Sequence, residues 1–233
     1  VLFRSSRSSY TNRYSQLYTV GLEGGFPLKL NIPHAYKAIF SPDGSRIAYV
    51  PLYEAFHQWK HYRGGTHSEI LLFSRDDHSV EKIPQNGTRC NDTDPVWIGD
   101  TVFFRSDREG EFNIYAYDCT DKSVSRLSSF SDFPVLDLSG SSKGLLFEKG
   151  GYLYTFDPEN RRHTRLRIGV AADLQTVRPR YAEGFRWIRT AHLSPAGKRA
   201  VIEFRGEIIT LPAEKGDPRN LTRSAGGHDR YPI

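Results

Sequence analysis

Residues 101–127 read TVFFRSDREGEFNIYAYDCTDKSVSRL and hold one complete copy of a unit that the rest of the chain repeats less regularly. Val102, Phe103 and Phe104 make a short apolar run. Ser106-Asp107-Arg108-Glu109-Gly110 is a polar turn ending in glycine, and Ile114-Tyr115-Ala116-Tyr117 is a second run that stops at Asp118. β-branched and aromatic residues suit a pleated sheet, and glycine accepts the positive φ of a turn, so the two runs predict an antiparallel hairpin. A third strand is expected over Val124 to Leu127. One hairpin is marginal in water and needs neighbours to cover it.

The neighbours are found by using 101–127 as a template. Val1-Leu2-Phe3, Gln16 to Val20 and Pro27 to Leu30 make a first unit. The second starts at Ile39-Phe40-Ser41-Pro42-Asp43-Gly44, where proline fixes φ, aspartate caps and glycine supplies φ > 0. It continues through Arg46 to Val50, Ile70 to Phe73 and Val80 to Ile83, with an insertion at 53–66. The template, led in by Asp94 to Asp100, is the third. Pro134 to Leu138, Gly144 to Glu148, Tyr152 to Asp157 and Thr164 to Arg167 form a fourth. A fifth begins near Thr190 with Ser194-Pro195-Ala196-Gly197, and Asp229-Arg230-Tyr231-Pro232-Ile233 repeats the lead-in of a further unit.

Taking Leu17, Ile70, Ile114, Leu153 and Ile208 as equivalent gives a spacing of 39 to 55 residues. Four short strands at that period predict the blades of an all-β propeller, in which radial stacking covers both faces of each small twisted sheet. A solenoid lacks the short fixed period, and a β-sandwich would not repeat its turn chemistry at this interval. Four units fill 1–168, a connector over 169–189 whose prolines and charges break the pattern reads as a linker, and a fifth unit occupies 190–233.

Composition agrees with this class. The 233 residues include 13 Tyr, 14 Phe, 20 Gly and 13 Pro, and no long amphipathic 3.6-residue period is present. No apolar stretch approaches a membrane span and no signal-peptide pattern is seen, so no membrane partner is expected. The chain opens inside a strand-like run and holds no Met, which reads as a piece lacking its initiator. A cytoplasmic location is the expectation, with the periplasm open should a leader precede Val1. The formal charge is +5, but 32 Lys+Arg stand against 27 Asp+Glu without a basic run, so generic surface is favoured over nucleic-acid binding. Cys90 and Cys119 form no CxxC pair and are expected as free thiols.

Candidate chemistry collects in the insertion, Phe56-His57-Gln58-Trp59-Lys60-His61-Tyr62-Arg63-Gly64-Gly65-Thr66-His67. Trp59, Lys60, Tyr62 and Arg63 combine aromatic faces with cations and are the candidate ligand or peptide contacts. The His57/His61 spacing would suit a metal on a helix, but the aromatics and paired glycines fit an extended, bulged hairpin at least as well, and neither metal nor cofactor is expected. The reading finds no nucleophile elbow and no linked Ser/His/Asp spacing, so no catalytic residue is assigned. Asp107, Asp118 and Asp157 are expected to cap turns. Arg178, Arg180, Arg186 and Arg189 read as linker charge.

Two sets of residues carry a family resemblance. Ser41-Pro42-Asp43-Gly44 with Ile47-Ala48-Tyr49, and Ser106 to Gly110 with Ile114-Tyr115 and Asp118, resemble the TolB-type, WD40-like repeat. Trp59-Lys60-x-Tyr62-Arg63-Gly64-Gly65-Thr66 with Ile70, then Pro95-Val96 to Gly99-Asp100, then Phe147-x-Lys149-Gly150-Gly151-x-Leu153-Tyr154-x-Phe156-Asp157-Pro158, are similar in order to the N-terminal propeller region of the tricorn proteases. That resemblance implies the end of a six-bladed propeller followed by the start of a seven-bladed one. It also implies a serine-peptidase domain further along the parent chain, assembly into a homo-oligomer, and a role for this segment as a gated channel for peptides. A TolB-like module that binds protein partners is the alternative.

Overall fold

The computed structural model describes residues 1–11, 14–85, 87–178, 184–224 and 226–233. It divides into two compact units, Val1–Gly169 and Val170–Ile233. In the first, β1 (Leu2–Ser5), β2 (Gln16–Gly21) and β3 (Gly24–Lys29) form a three-stranded sheet. β4 (Lys37–Phe40), β5 (Arg46–Val50), β6 (Leu71–Ser74) and β7 (Val80–Lys82) form a four-stranded one, as do β8 (Asp92–Ile98), β9 (Thr101–Ser106), β10 (Asn113–Asp118) and β11 (Val124–Arg126). The fourth sheet holds β12 (Val135–Ser141), β13 (Gly144–Lys149), β14 (Tyr152–Asp157) and β15 (Arg162–Arg165). In the second unit β16 (Ile188–Leu193), β17 (Arg199–Phe204), β18 (Glu207–Pro212) and β19 (Arg219–Asn220) make a sheet of the same order. Every pairing is antiparallel between strands adjacent in the chain, and the fold is an all-β array of propeller blades.

The two-residue alternation of each strand decides which neighbour it covers. On β9, Val102 and Phe104 join Tyr115 and Tyr117 of β10 in a cluster with Ala48, Val50, Ile70 and Leu72 of the preceding sheet. Phe103, Ile114 and Ala116 point the other way, against Val135, Leu145, Phe147 and Phe156 of the following sheet. Ile47 and Tyr49 of β5 likewise meet Leu17 of β2 with Ile32 and Ala35 of the segment joining β3 to β4. The core is therefore three apolar layers between consecutive sheets, since a strand with both faces apolar is stable only with a neighbour on each side. β8 touches both β4 and β12, so the first strands of these sheets lie together on one side of the stack.

Turn chemistry follows the residues. Gly44 has φ 73°, and Asp43 accepts from Ser41 Oγ at 2.5 Å and from the Ser45 amide at 3.1 Å, which holds its carboxyl down at about 2. Ser194 closes the same five-residue loop in the second unit, its amide donating to Arg199 O at 2.8 Å where Ser41 donates to Arg46 O at 2.9 Å. β8, β12 and β16 each carry an irregularity near their start, at Thr93/Val96, Val135/Asp137 and Ile188/Ala191. Such a bulge re-aims the side chain it carries.

Candidate functional site

Antiparallel sheets whose strands run in chain order place two sets of loops at one end: those between second and third strands, and those linking one sheet to the next. In the first unit this end gathers residues 51–70, 83–91, 107–112 and 127–134, and nearly all of the buried charge lies there or beside it. Asp94 is a non-glycine residue at φ 53° in the β8 bulge. That conformation is uncommon outside Gly, Asn and Asp, and here it turns the carboxylate onto the Lys37 ammonium and the Arg105 guanidinium. Lys37 also reaches Glu54 Oε1 at 3.0 Å, Thr93 Oγ1 donates to the same oxygen, and His57 Nε2 lies 2.6 Å from Oε2. Arg105 sits 4.9 Å from the Phe112 ring centroid and donates to Val135 O at 3.2 Å. Burial alone would raise the Glu54 carboxyl, but Lys37, Thr93 and Arg105 outweigh it and hold the group below its ordinary value. Burial likewise lowers Lys37, and the carboxylates of Asp94 and Glu54 overcome it, leaving the ammonium above its usual range.

A second cluster centres on Asp107. Its carboxylate accepts from the Asn91 amide at 2.7 Å, from Asn91 Nδ2 at 2.9 Å and from Arg63 NH1 at 2.6 Å. Asp118 and Asp157 behave as expected of turn caps, accepting from the amides of Thr120 and Glu159 at 2.7 and 2.9 Å. Asp107 does not: it is buried and ties its own loop to a segment 16 residues earlier. Beside it Asp92 takes both contacts from Arg108 NH2 at 3.0 Å and another from Gln85.

The 53–66 insertion is not an extended hairpin. Ala55–His57 is one 3-10 turn, continued by turns that bury Phe56. Phe56 packs on Phe112 at 4.9 Å, and the deep polar anchors Glu54 and Asp107 draw the segment down onto the sheets instead of letting it pair with itself. The expected candidates separate by role. Lys60 is paired with Glu111 at 2.6 Å and Arg63 with Asp107, so both cations are spent on the neighbouring loop. Trp59 and Tyr62 lie 6.0 Å apart, ring to ring, and Thr66 Oγ1 donates to the Tyr62 hydroxyl at 3.0 Å. His57 engages Glu54, while His61 lies 3.8 Å from both Asp107 and Glu111. Among the described residues no group of three or more His, Cys, Asp or Glu is placed to hold a metal ion.

Trp59 lines a cavity of about 680 Å³ together with Arg4, Tyr14, Tyr36, Tyr53 and Thr66. Arg4 stacks on Tyr36, its guanidinium carbon 3.7 Å from the ring centroid, and NH1 donates to Tyr36 O at 3.2 Å. Tyr53 meets Tyr36 edge-on at 5.2 Å. The sequence reading reached Trp59 but not Arg4, Tyr14 or Tyr36, which come from β1, the β1–β2 connection and the segment leading into β4, and had no local motif to mark them.

Cys90 and Cys119 are free, as expected, and burial with the nearby Asp92 pushes the Cys90 thiol up to about 12. Gly140-Ser141-Ser142-Lys143-Gly144 does spell Gly-x-Ser-x-Gly, but these residues turn the β12–β13 hairpin, with Ser141 facing Gly144 across the ladder. A nucleophile elbow joins a strand to a helix, so the letters carry no such chemistry here. In the connector before β16, Arg178 pairs with Asp173 and Arg186 lies 5.0 Å from the Trp187 ring, while Arg180 falls outside the described residues.

Comparison with known proteins agrees with this architecture. The family described as the tricorn protease N-terminal beta propeller domain matches residues 1–162. The tricorn protease homolog of Saccharolobus solfataricus is 26% identical over 215 residues, covering 92% of this chain and 20% of the relative. The tricorn protease of Thermoplasma acidophilum is 31% identical over 153 residues, 66% of this chain and 14% of its own length. The crystal structure of the tricorn protease superposes with a TM-score of 0.63 at 21% identity, covering 97% of this chain and 29% of that one. The chain thus spans a fifth or less of these two relatives. With the family match running through all four sheets of the first unit to the start of β15, the chain belongs to the tricorn protease N-terminal beta propeller family.

Proposed function

We propose that this chain is the non-catalytic propeller portion of a tricorn-type serine peptidase, acting as a channel or gate for peptides and as an assembly scaffold. The observation that carries the reading is the arrangement of β4, β8 and β12: the first strands of successive blades lie together, so the blades wrap an axis on which a passage would run. Residues 1–168 then supply the later blades of a six-bladed ring, and residues 190–233 the first blade of a second ring. Peptides are the passing partners, further copies of the chain the assembly partners, and the cytoplasm the location.

The test compares the full-length parent with this 233-residue chain on fluorogenic peptides, alongside size-exclusion chromatography of both. Peptide hydrolysis and a large homo-oligomer for the parent, with no hydrolysis by the chain alone, is the expected result. Turnover by the isolated chain, or a parent inert on every peptide, would overturn the reading.

A further inference from the structure

We propose that the outer edge of the fourth sheet, strand β15 with the residues that flank it, is a docking surface for an extended, acidic segment of a partner protein, added to the sheet as a fifth strand. β15 pairs only with β14, while β12, at the opposite edge of the sheet, lies next to β8. The surface therefore faces away from the side on which the first strands of the blades gather. It is separate from the passage proposed above and stands without it.

Charge singles out this edge. Residues 160–172 hold Arg161, Arg162, Arg165 and Arg167 and no aspartate or glutamate. All four arginines are exposed, and among the described residues none lies within ion-pair distance of a carboxylate. The outer strands of the two preceding sheets differ. Lys82 of β7 meets Glu69, and Arg126 of β11 reaches Glu109 at 2.7 Å. Lys122, in the turn before β11, lies 3.3 Å from Glu81. Those cations are matched within their own sheets, whereas the ones along β15 are left for another molecule. A charged edge discourages pairing with a neutral or basic strand. The same charges favour a strand that carries carboxylates, because opposite charges facing each other across two strands stabilise the pair.

Register shows what such a strand would meet. Leu166 N–H donates to Leu153 O at 2.9 Å, and Thr164 and Arg162 stand opposite Thr155 and Asp157, so these three residues bond inward. The alternation of an antiparallel ladder then turns the backbone N–H and C=O of His163 and Arg165 outward, where an added strand can take them. Side chains at every second position of an extended chain share a face, about 7 Å apart, so Arg165 and Arg167 suit acidic residues two apart in the incoming segment. Arg165 is oriented over the Tyr152 ring, 4.7 Å from its centroid, without having its charge balanced. Leu166 offers an apolar contact to the residue between the two acids, and it borders a groove of about 560 Å³ with both arginines, Tyr152 and Ile168.

The experiment titrates the full chain by calorimetry with Ac-Glu-Val-Glu-Val-Glu-amide, its Gln-for-Glu counterpart, the same acidic peptide N-methylated at its glutamates, and a single-stranded oligothymidylate. Blocked ends leave side-chain carboxylates as the only anions on the peptides. Saturable binding of the acidic peptide is expected, about 10- to 100-fold tighter than the Gln peptide. The N-methylated peptide should bind about 10-fold more weakly or less, since it keeps the charge and loses the donors that face the edge. Amide hydrogen exchange over 159–168 should slow on binding, with 120–127 at the β11 edge unchanged. Arg165→Gln combined with Arg167→Gln should weaken the acidic peptide about 3- to 30-fold, as loss of two exposed pairs would. Lys29→Gln combined with Lys215→Gln, an equal change of charge at exposed positions elsewhere, should not. No binding, equal binding of the acidic and Gln peptides, undiminished binding of the N-methylated peptide, equal or tighter binding of the oligothymidylate, protection without 159–168, or no loss in the arginine variant would each overturn the inference. None of these readouts needs peptidase activity, so the channel reading and this one fail separately.

Discussion

Removing the charge of Glu54 tests whether the buried polar cluster fixes the 53–66 segment. Glu54 is fully buried and serves Lys37, Thr93 and His57 at once. Two cations, Lys37 and Arg105, face two carboxylates, Glu54 and Asp94. Glu54→Gln keeps the shape and leaves one cation uncompensated. Breaking a fully buried pair from one side costs about 3–5 kcal/mol, and because the Lys37 side chain is 30% exposed we discount this to about 2–4 kcal/mol. Lys37→Met alone should cost a similar amount. The double variant should recover about 1 kcal/mol or more relative to the sum of the singles, because neither charge is then left unmatched. Urea unfolding followed through Trp97, which is buried between the second and third sheets, measures each term.

The acid limb gives a second reading of the same group. The Glu54 carboxyl lies below its ordinary value when folded, so its stabilisation is complete above the ordinary carboxylate range and is lost as pH falls through the folded value. The gap between wild type and Glu54→Gln should therefore close toward acid. A coupling below about 0.5 kcal/mol, inside the range expected for independent sites, or a gap that widens toward acid, would refute the reasoning.

Phe104→Ala should cost about 3–5 kcal/mol by chemical denaturation, since the ring is wholly buried in the layer between the second and third sheets; a cost below about 1 kcal/mol would deny that layer its role. Asp107→Asn should lower stability by about 2–3 kcal/mol through its charged contact with Arg63 and the Asn91 bonds, whereas Asp118→Asn should cost under about 1 kcal/mol because Asn caps almost as well. Lys37 titrates above its usual range when folded, so its stabilisation is present below the ordinary lysine value and is lost as pH rises through the folded one. The stability gap between wild type and Lys37→Met should then narrow on the alkaline side in pH-dependent urea titrations. Cys90, buried and with its thiol pushed to about 12, should resist thiol reagents in the folded protein and react on unfolding, which mass spectrometry of the labelled chain would show.

The strands were legible because their signal is local. Val102, Phe103 and Phe104 announce a strand with two apolar faces, and the structure uses the two faces on two different sheets. Ser41-Pro42-Asp43-Gly44 announces its turn because the cap, the fixed φ and the positive φ lie within four residues. The polar end was not legible for the opposite reason. Lys37 meets Asp94 across 57 residues, Glu54 meets Thr93 across 39, and Asp107 meets Arg63 across 44. No window of sequence contains both partners, so Asp107 reads as one more turn aspartate and Arg63 as an available cation.

The same distances explain where binding capacity remains. A cation set in a loop beside the next blade's carboxylates is consumed in holding the loop, as Lys60 and Arg63 are, and the richest-looking stretch of the sequence is thereby the least available. Arg4 escapes because it sits at the end of β1, where the described neighbours offer the Tyr36 ring and a carbonyl instead of a carboxylate. An arginine oriented by an aromatic face keeps its charge unbalanced, whereas the charge of one oriented by an aspartate is offset by the carboxylate. The insertion thus acts on this end of the blades twice, by matching its own cations Lys60 and Arg63 and by contributing Trp59 to the cavity wall.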